Sequence, residues 1–268
     1  MYFWRIRKIL KRVRKAVSKK LRQIQKMLND HFVFKSATDK KIYYDLSQGK
    51  ISGSGEVKIN IKTAGNNPIY CRNNHIDHHV IDTTFFGLYH LPPKKLKSNP
   101  VILDLGSNIG LTIRHLKYLY PRSSIIGVEL DHQNYLLSKK NLQGLDNCIS
   151  LNAAIWYKDG VVSYSGVDEQ SYFCMDGTDG EHKKAKSVSL ITLFKDYNLS
   201  CIDYVKMDIE GAESVLFNKD CEWLNNVQSI NIEVHNGEPL NKYISVLDKY
   251  GFTSKISSKH WSSVLAYK

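Results

Sequence analysis

VILDLGSNIG, Val101 to Gly110, is the stretch from which the fold can be worked out. Val101, Ile102, Leu103 and Leu105 suit a buried strand, and they surround one acid, Asp104. Gly106, Ser107 and Asn108 make a turn of small residues, and Gly110 opens the helix-like run LTIRHLKYLY. A buried strand feeding a helix through a glycine turn builds a nucleotide-binding corner. The glycines let the backbone approach a ligand, and the first helical N–H groups are unpaired. The spacing G-x-x-x-G is not the G-x-G-x-x-G of dinucleotide binders, and no lysine-bearing phosphate loop is present. An acid this close to the first glycine suits a cationic ligand better than a pyrophosphate. That points to S-adenosylmethionine, which carries an ammonium and a sulfonium. Replacing Gly106 by a bulkier residue is then expected to abolish binding and leave the fold intact.

A second acid supports this. SSIIGVEL, Ser123 to Leu130, reads as the next buried strand and ends in Glu129, 19 residues after Gly110. Sheets of this type place a carboxylate there for ribose hydroxyls. Either acid alone could be a helix cap or a solvated loop charge. Two acids at consecutive strand ends, with the glycine turn between them, favour the cofactor.

The chain has 268 residues, 42% of them hydrophobic, enough for one large domain with extensions. No apolar run of about 18 residues is present, so nothing reads as a membrane span. Cys71, Cys148, Cys174, Cys201 and Cys221 are scattered, odd in number and without C-x-x-C spacing. That argues against a disulfide framework or a zinc site and suits a reducing cytoplasm. The ten histidines show no metal-ligand spacing, and His75, His78 and His79 read as a polar loop face.

The net charge of +12 is local. Residues 1–28 hold eleven of the 38 cations and no acid, leaving 27 cations against 26 acids in the body. The body is therefore not a basic nucleic-acid reader, and nucleic acid is not the expected partner. In the basic segment Phe3, Ile6, Leu10, Val13, Val17, Leu21, Ile24 and Leu28 step by three or four, which puts them on one helix face. With Tyr2, Phe3 and Trp4 at its tip, this amphipathic helix suits an anionic membrane surface. A mitochondrial presequence, a partner groove and RNA remain open for it. No lipidation signal occurs. The chain is expected in the cytoplasm, peripheral on the inner membrane face.

A polar link spans residues 29–41, and 42–71 reads as β-rich from the alternation in EVKINIK and the pair Gly53 and Gly55. LPPKKLKSNP, Leu91 to Pro100, marks a boundary, so the expected units are 1–28, 29–98 and 99–268. Beyond it strands and helices alternate, which implies a mostly parallel sheet covered by helices on both faces. The expected strands are 101–106, 124–130, 148–155, 187–190, 202–209 and 227–235. The expected helices are 110–120, 132–142, 191–197, 212–219 and 239–250. FTSKIS and SSVLAYK supply two final strands, one of them antiparallel. VVSYSG is a hairpin arm, and the polar stretch Asp168 to Lys186 is a loop over the site. This order is that of a seven-stranded Rossmann-like class I methyltransferase.

IDYVKMDIEGAE, Ile202 to Glu213, carries Lys206, Asp208 and Glu210 at alternate positions into a Gly211 turn. In open parallel sheets ligands bind beyond the carboxyl ends of the strands, so Asp208 and Glu210 should land beside the glycine turn. The alternative is a Lys206–Asp208 ion pair plus an acid that stabilises a helix entry. The next strand ends in IEVH, bringing Glu233 and His235 to the same rim, with His235 a general-base candidate.

Across residues 65–268 the chain resembles the FkbM-type methyltransferases. VILDLGSNIG, SIIGVEL, LNAAIWYKDG, SVSLITLFKDY, YVKMDIEGAESVLF and INIEVH carry the resemblance, and D-[IV]-E-G-x-E is its most specific element. It implies methyl transfer from S-adenosylmethionine to an oxygen, often a sugar hydroxyl. Asp104, Gly106, Ser107, Asn108, Gly110, Glu129 and Ala154 then stand as cofactor positions, Ser107 where alanine is common. Asp208, Glu210 and His235 stand as the catalytic set, and magnesium on Asp208 and Glu210 is left open because hard oxygen ligands suit it. The expected acceptor is a glycan or lipid-linked saccharide. An RNA or other small-molecule methyltransferase, or a binding module without catalysis, are the alternatives. The near-neutral body and the absence of an amino-methylation motif weigh against RNA. The intact acids and glycine turn weigh against loss of catalysis.

Overall fold

A computed structural model describes residues 33–53, 55–73, 76–168, 171–175, 183–219 and 221–268. The basic segment 1–28 lies outside them. The central feature is a seven-stranded sheet. In chain order its strands are β3 (Val101–Leu105), β4 (Ser124–Glu129), β5 (Cys148–Asn152), β10 (Tyr204–Met207), β11 (Ser229–Glu233), β12 (Thr253–Ile256) and β13 (Ser263–Tyr267). They lie side by side as β12-β13-β11-β10-β3-β4-β5. Only β13 runs against its neighbours, as expected from the two C-terminal strands. In β3 the side chains alternate between two apolar layers. Leu103 and Leu105 meet α5 (Leu190–Asp196), α6 (Ala212–Phe217) and α7 (Leu240–Lys249), whereas Ile102 meets α3 (Leu111–Leu119). α4 (His132–Asn141) follows β4 and is capped by Asp131, whose side chain accepts from the N–H groups of Gln133 and Asn134.

Two expectations are corrected. Residues 37–47 are helical, forming α1 (Ala37–Ser47), instead of opening a β-rich stretch. Ser36 caps this helix by accepting from the Asp39 N–H, and Tyr43 and Leu46, spaced by three, bury its inner face. β1 (Glu56–Ile59) and β2 (Ile69–Arg72) then pair as an antiparallel ribbon. α2 (Asp77–Ile81) follows and runs into a wide turn over Asp82–Gly87. Phe34, Tyr43, Ile59, Ile69 and Phe85 pack with Ile109 and Leu111 at the start of α3 and with Leu137 of α4.

The second correction concerns Asp168 to Lys186, expected as a loop over the site. It carries β8 (Ser171–Met175) and most of β9 (Lys183–Val188), which join β6 (Ala154–Ile155) and β7 (Gly160–Asp168) in a separate sheet ordered β6-β9-β7-β8. The lysines of KKAKSV suggest solvent, yet in a strand only the backbone must pair, and Lys183, Lys184 and Lys186 keep their side chains largely in water. Among the described residues no helix is long and apolar enough to cross a membrane.

Candidate active site

The carboxyl ends of β3, β4, β10 and β11 surround a cavity of about 260 Å³. Its wall contains Gly106, Ser107, Asn108, Glu129 and Ala154 together with Lys206, Asp208, Glu210 and Glu233. Thr83, Thr84, Tyr89, His90 and His260 close it from the N-terminal part and the C-terminal hairpin. The sequence therefore brings the expected cofactor turn and acid loop to one place. Asp104, Gly110 and His235 are not in the wall.

The glycine turn is held by its own hydrogen bonds. The N–H groups of Gly106 and Ser107 donate to the Val128 carbonyl at 2.9 and 3.0 Å, and Gly110 N–H donates to the Ser107 carbonyl at 2.8 Å. Asn108 N–H donates to Glu129 Oε2 at 2.8 Å. These N–H groups are already engaged, which agrees with a ligand other than a pyrophosphate. Gly106 has φ +76°, and a Cβ there would lie 1.7 Å from the Asp208 carbonyl oxygen. Its lack of a side chain thus lets β3 and β10 close together. Gly110 serves a different contact. A Cβ there would meet Ser138 Oγ at 2.7 Å, so its absence lets α3 pack on α4.

Asp104 lies behind the wall, with no exposed surface. Neither carboxylate oxygen has a hydrogen-bond partner, and Lys206 Nζ stands 3.5 Å from Oδ1. Burial raises this carboxyl to about 6 against the pull of Lys206. A buried acid with unfilled acceptor capacity beneath the glycine turn fits a cationic cofactor group. Glu129 lines the cavity and accepts from Asn108 N–H at Oε2 and from Asp131 N–H and Asn134 Nδ2 at Oε1. Burial pushes it up to about 7. The donors and acceptors present fit S-adenosylmethionine.

Lys206 joins the two halves. Its Nζ donates to the Gly106 carbonyl at 2.9 Å and pairs with Asp208 at 3.2 Å. In the sheet it lies level with Asp104 on one side and Asn231 on the other, a polar row through the middle of the parallel strands. Burial opposes its charge, yet Asp208 and Asp104 raise its pKa further. For Asp208, burial is outweighed by Lys206, His235 and His260, which hold its carboxyl below the usual value.

His235 is enclosed by acids. Its Nδ1 donates to Glu213 at 3.1 Å, while Nε2 lies 3.6 Å from Asp208, 3.5 Å from Glu210 and 3.9 Å from Glu233. Burial works against the charge, but Glu213, Asp208 and Glu210 raise the imidazole to about 9. At neutral pH it already carries its proton, which suits a cation that holds the acid loop and not the general base expected from the sequence. Burial, with Asp208 adding to it, lifts the carboxyls of Glu210 and Glu233 to about 7. Among the described residues two donor sets bring their ligand atoms within 4.8 Å of one another, Asp208, Glu233 and His235 at this site and His78, His79 and Asp82 in the N-terminal part, and neither is the expected pair of Asp208 and Glu210.

Glu213 is the main residue the sequence reading passed over. It is fully buried and accepts from the N–H groups of Ile209 and Gly211 at 2.7 and 2.8 Å, fixing the loop that carries Glu210. Its place in the first turn of α6, inside DIEGAE, was the available signal. Lys206, which the sequence places level with Asp208 and Glu210 on one strand face, both pairs with Asp208 and lines the cavity. His260 and the Thr83 to His90 wall had no local signal, because they reach the site only through tertiary packing.

The model of the FkbM methyltransferase domain matches residues 104–254. No curated protein matches the sequence. Among solved structures, a precorrin-6y C5,15-methyltransferase from Geobacter metallireducens is 15% identical, covers 65% of this chain and 82% of its own, and has a TM-score of 0.39. Fibrillarin from Aeropyrum pernix with natively bound S-adenosyl-L-methionine is 16% identical, with coverages of 83% and 86% and a TM-score of 0.40. The Methanococcus jannaschii fibrillarin pre-rRNA processing protein is 13% identical, with coverages of 81% and 84% and a TM-score of 0.42. The family match spans over half the chain and contains both the glycine turn and the acid loop. The chain belongs to the FkbM methyltransferase domain family and is an S-adenosylmethionine-dependent methyltransferase.

Proposed function

We propose that this enzyme methylates a hydroxyl oxygen of a saccharide, in a glycan or a lipid-linked sugar, at the cytoplasmic face of a membrane. The observation that carries this reading is the pair Glu210 and Glu233 in the same cavity wall as the glycine turn, each with a carboxyl near 7. A sugar hydroxyl is a weak acid, so its proton must leave as the new bond forms. A base works best when its pKa lies near the operating pH.

When bound, S-adenosylmethionine supplies a methyl group already activated on sulfur. Gly106 to Asn108, Glu129 and Ala154 would hold it, with Asp104 behind them offering buried acceptor oxygens. Glu210 takes the hydroxyl proton. Asp208, kept ionised by Lys206 and His235, orients the hydroxyl. His235 and Glu213 hold the acid loop in place, and the closed wall excludes water. No step needs a metal, because Lys206 and His235 already supply positive charge to these acids.

Glu210→Gln is expected to lower kcat about 100- to 10,000-fold with cofactor affinity nearly unchanged. In the wild type kcat should rise as the pH passes through about 7, and the variant should lack that limb. Methyl-labelled cofactor should carry label into the glycan or lipid-linked fraction of a cell extract. Label confined to RNA would overturn the saccharide reading, and an unchanged kcat in Glu210→Gln would remove that residue as the base.

A further inference from the structure

The hairpin turn between β12 and β13 presents Trp261 with 82% of its surface exposed, whereas Trp156 and Trp223 are buried. Its chain neighbour His260, and Ser263 two residues on, belong to the cavity wall. The Tyr89 ring, also in the wall, lies 5.0 Å from His260, and His260 lies 6.3 Å from Trp261 at an interplanar angle of 30°. Three rings thus form a row from the cavity wall outward. We propose that this row is an acceptor subsite, on which a second sugar ring stacks while its neighbour enters the cavity to be methylated. The proposal rests on the saccharide reading above and makes the acceptor at least a disaccharide.

Volume supports it first. About 260 Å³ is just below the roughly 300–1,000 Å³ of pockets that enclose a single drug-sized ligand. A cofactor built of a nucleoside and an amino acid takes most of that space, so only the reacting part of the acceptor fits beside it. The remainder must lie at the mouth.

The second support is preorganisation. Ser257 N–H donates to the Ser263 carbonyl at 2.8 Å, and Ser263 N–H donates to the His260 carbonyl at 3.2 Å. Ser257 Oγ accepts from Lys259 N–H at 3.2 Å, and the Ser262 hydroxyl sits 3.1 Å from His260 Nδ1. The turn is pinned on several sides, so holding Trp261 outward is not the result of a loose loop. A rigid indole with few rotatable bonds offers contact area at low entropic cost.

The third support is chemistry. One face of a pyranose is lined by C–H groups and stacks on an aromatic ring, while its edge carries hydroxyls that need polar partners. Beside the aromatic row stand Asn231 and Glu233, both in the wall.

The test uses the full chain and its variants Trp261→Ala and Trp261→Phe. Glycan from the source cell is partly hydrolysed and separated into mono-, di- and trisaccharide fractions, which serve as acceptors with labelled cofactor. In the wild type the disaccharide fraction should show a KM about tenfold below that of the monosaccharides, the low end of what stacking one nucleic-acid base on an aromatic side chain contributes. Trp261→Ala should erase this difference while leaving kcat within about twofold and cofactor affinity unchanged. Trp261→Phe should keep most of it. A wild type that methylates all three fractions with equal KM overturns the subsite alone. So does Trp261→Ala with unchanged KM, or with weaker cofactor binding. Loss of vesicle binding by Trp261→Ala with unaltered saccharide kinetics would assign the indole to a membrane and overturn the subsite too. No label in any saccharide fraction overturns both this proposal and the reading on which it rests.

Discussion

Gly106 shows how much one missing side chain decides. Its positive φ and the Asp208 carbonyl 1.7 Å from where a Cβ would stand leave no room for alanine. The strain of a non-glycine residue in that conformation, together with overpacking between two central strands, should destabilise the fold by about 3 kcal/mol or more. Gly106→Ala should therefore lose cofactor binding and lower the denaturant midpoint together. Calorimetry without binding but with an unchanged midpoint would favour the simpler expectation from sequence, in which only the ligand feels the change. That expectation saw the turn correctly and missed its neighbour, because the approach of β10 is a tertiary fact. Glu129, Asp208 and Glu210 were legible as candidates for the cavity because each stands at or just past the end of a strand of recognisable pattern, whereas Asp104, one residue before such an end, lies behind the wall. The charge of His235 was not legible, since it depends on four carboxylates brought together only by the fold.

At the scale of elements, α3 does more than support β3. Arg114 on this helix is buried, and its guanidinium donates to the carbonyls of Ala64, Asn67, Pro68 and Asn141 at 2.5 to 3.1 Å. Three of these carbonyls lie in the turn between β1 and β2, so one side chain clasps the N-terminal part to the sheet. Arg114→Met would leave buried carbonyls without donors, at roughly 1–3 kcal/mol for each one that stays dry. The net loss should be about 3 kcal/mol, read in a single unfolding transition. A separate early transition would instead show the N-terminal part unfolding on its own. The alternating strands and helices after Val101 were readable because hydrophobic period changes from two to nearly four at each turn. α1 was hidden by its polar composition, and β9 by its lysines on a paired backbone.

For the whole molecule, charge is divided unevenly. A body close to neutrality follows a segment of eleven cations, and we propose that this segment binds an anionic membrane. Each cation should contribute about 1 kcal/mol near such a surface and less at high salt. In sedimentation with phosphatidylserine vesicles, the full chain should pellet and a truncation lacking residues 1–28 should stay in solution, with equal methyl transfer to a water-soluble acceptor. Equal partitioning of the two would remove the membrane role. This division was visible in the sequence because counting charges needs no coordinates.

The pairing of β3 with β10 places Leu103 beside Val205, about a hundred residues later in the chain. Contacts between segments so distant must overcome a large loop-closure entropy, so they form slowly and late. The glycine turn and the acid loop belong to these two strands and meet only when the pair is made. A nascent chain or a partly unfolded one can thus hold neither half of the reaction in register. Any ligand that bridges the two halves acts as a latch on the last long-range contact, and its binding reports completed folding.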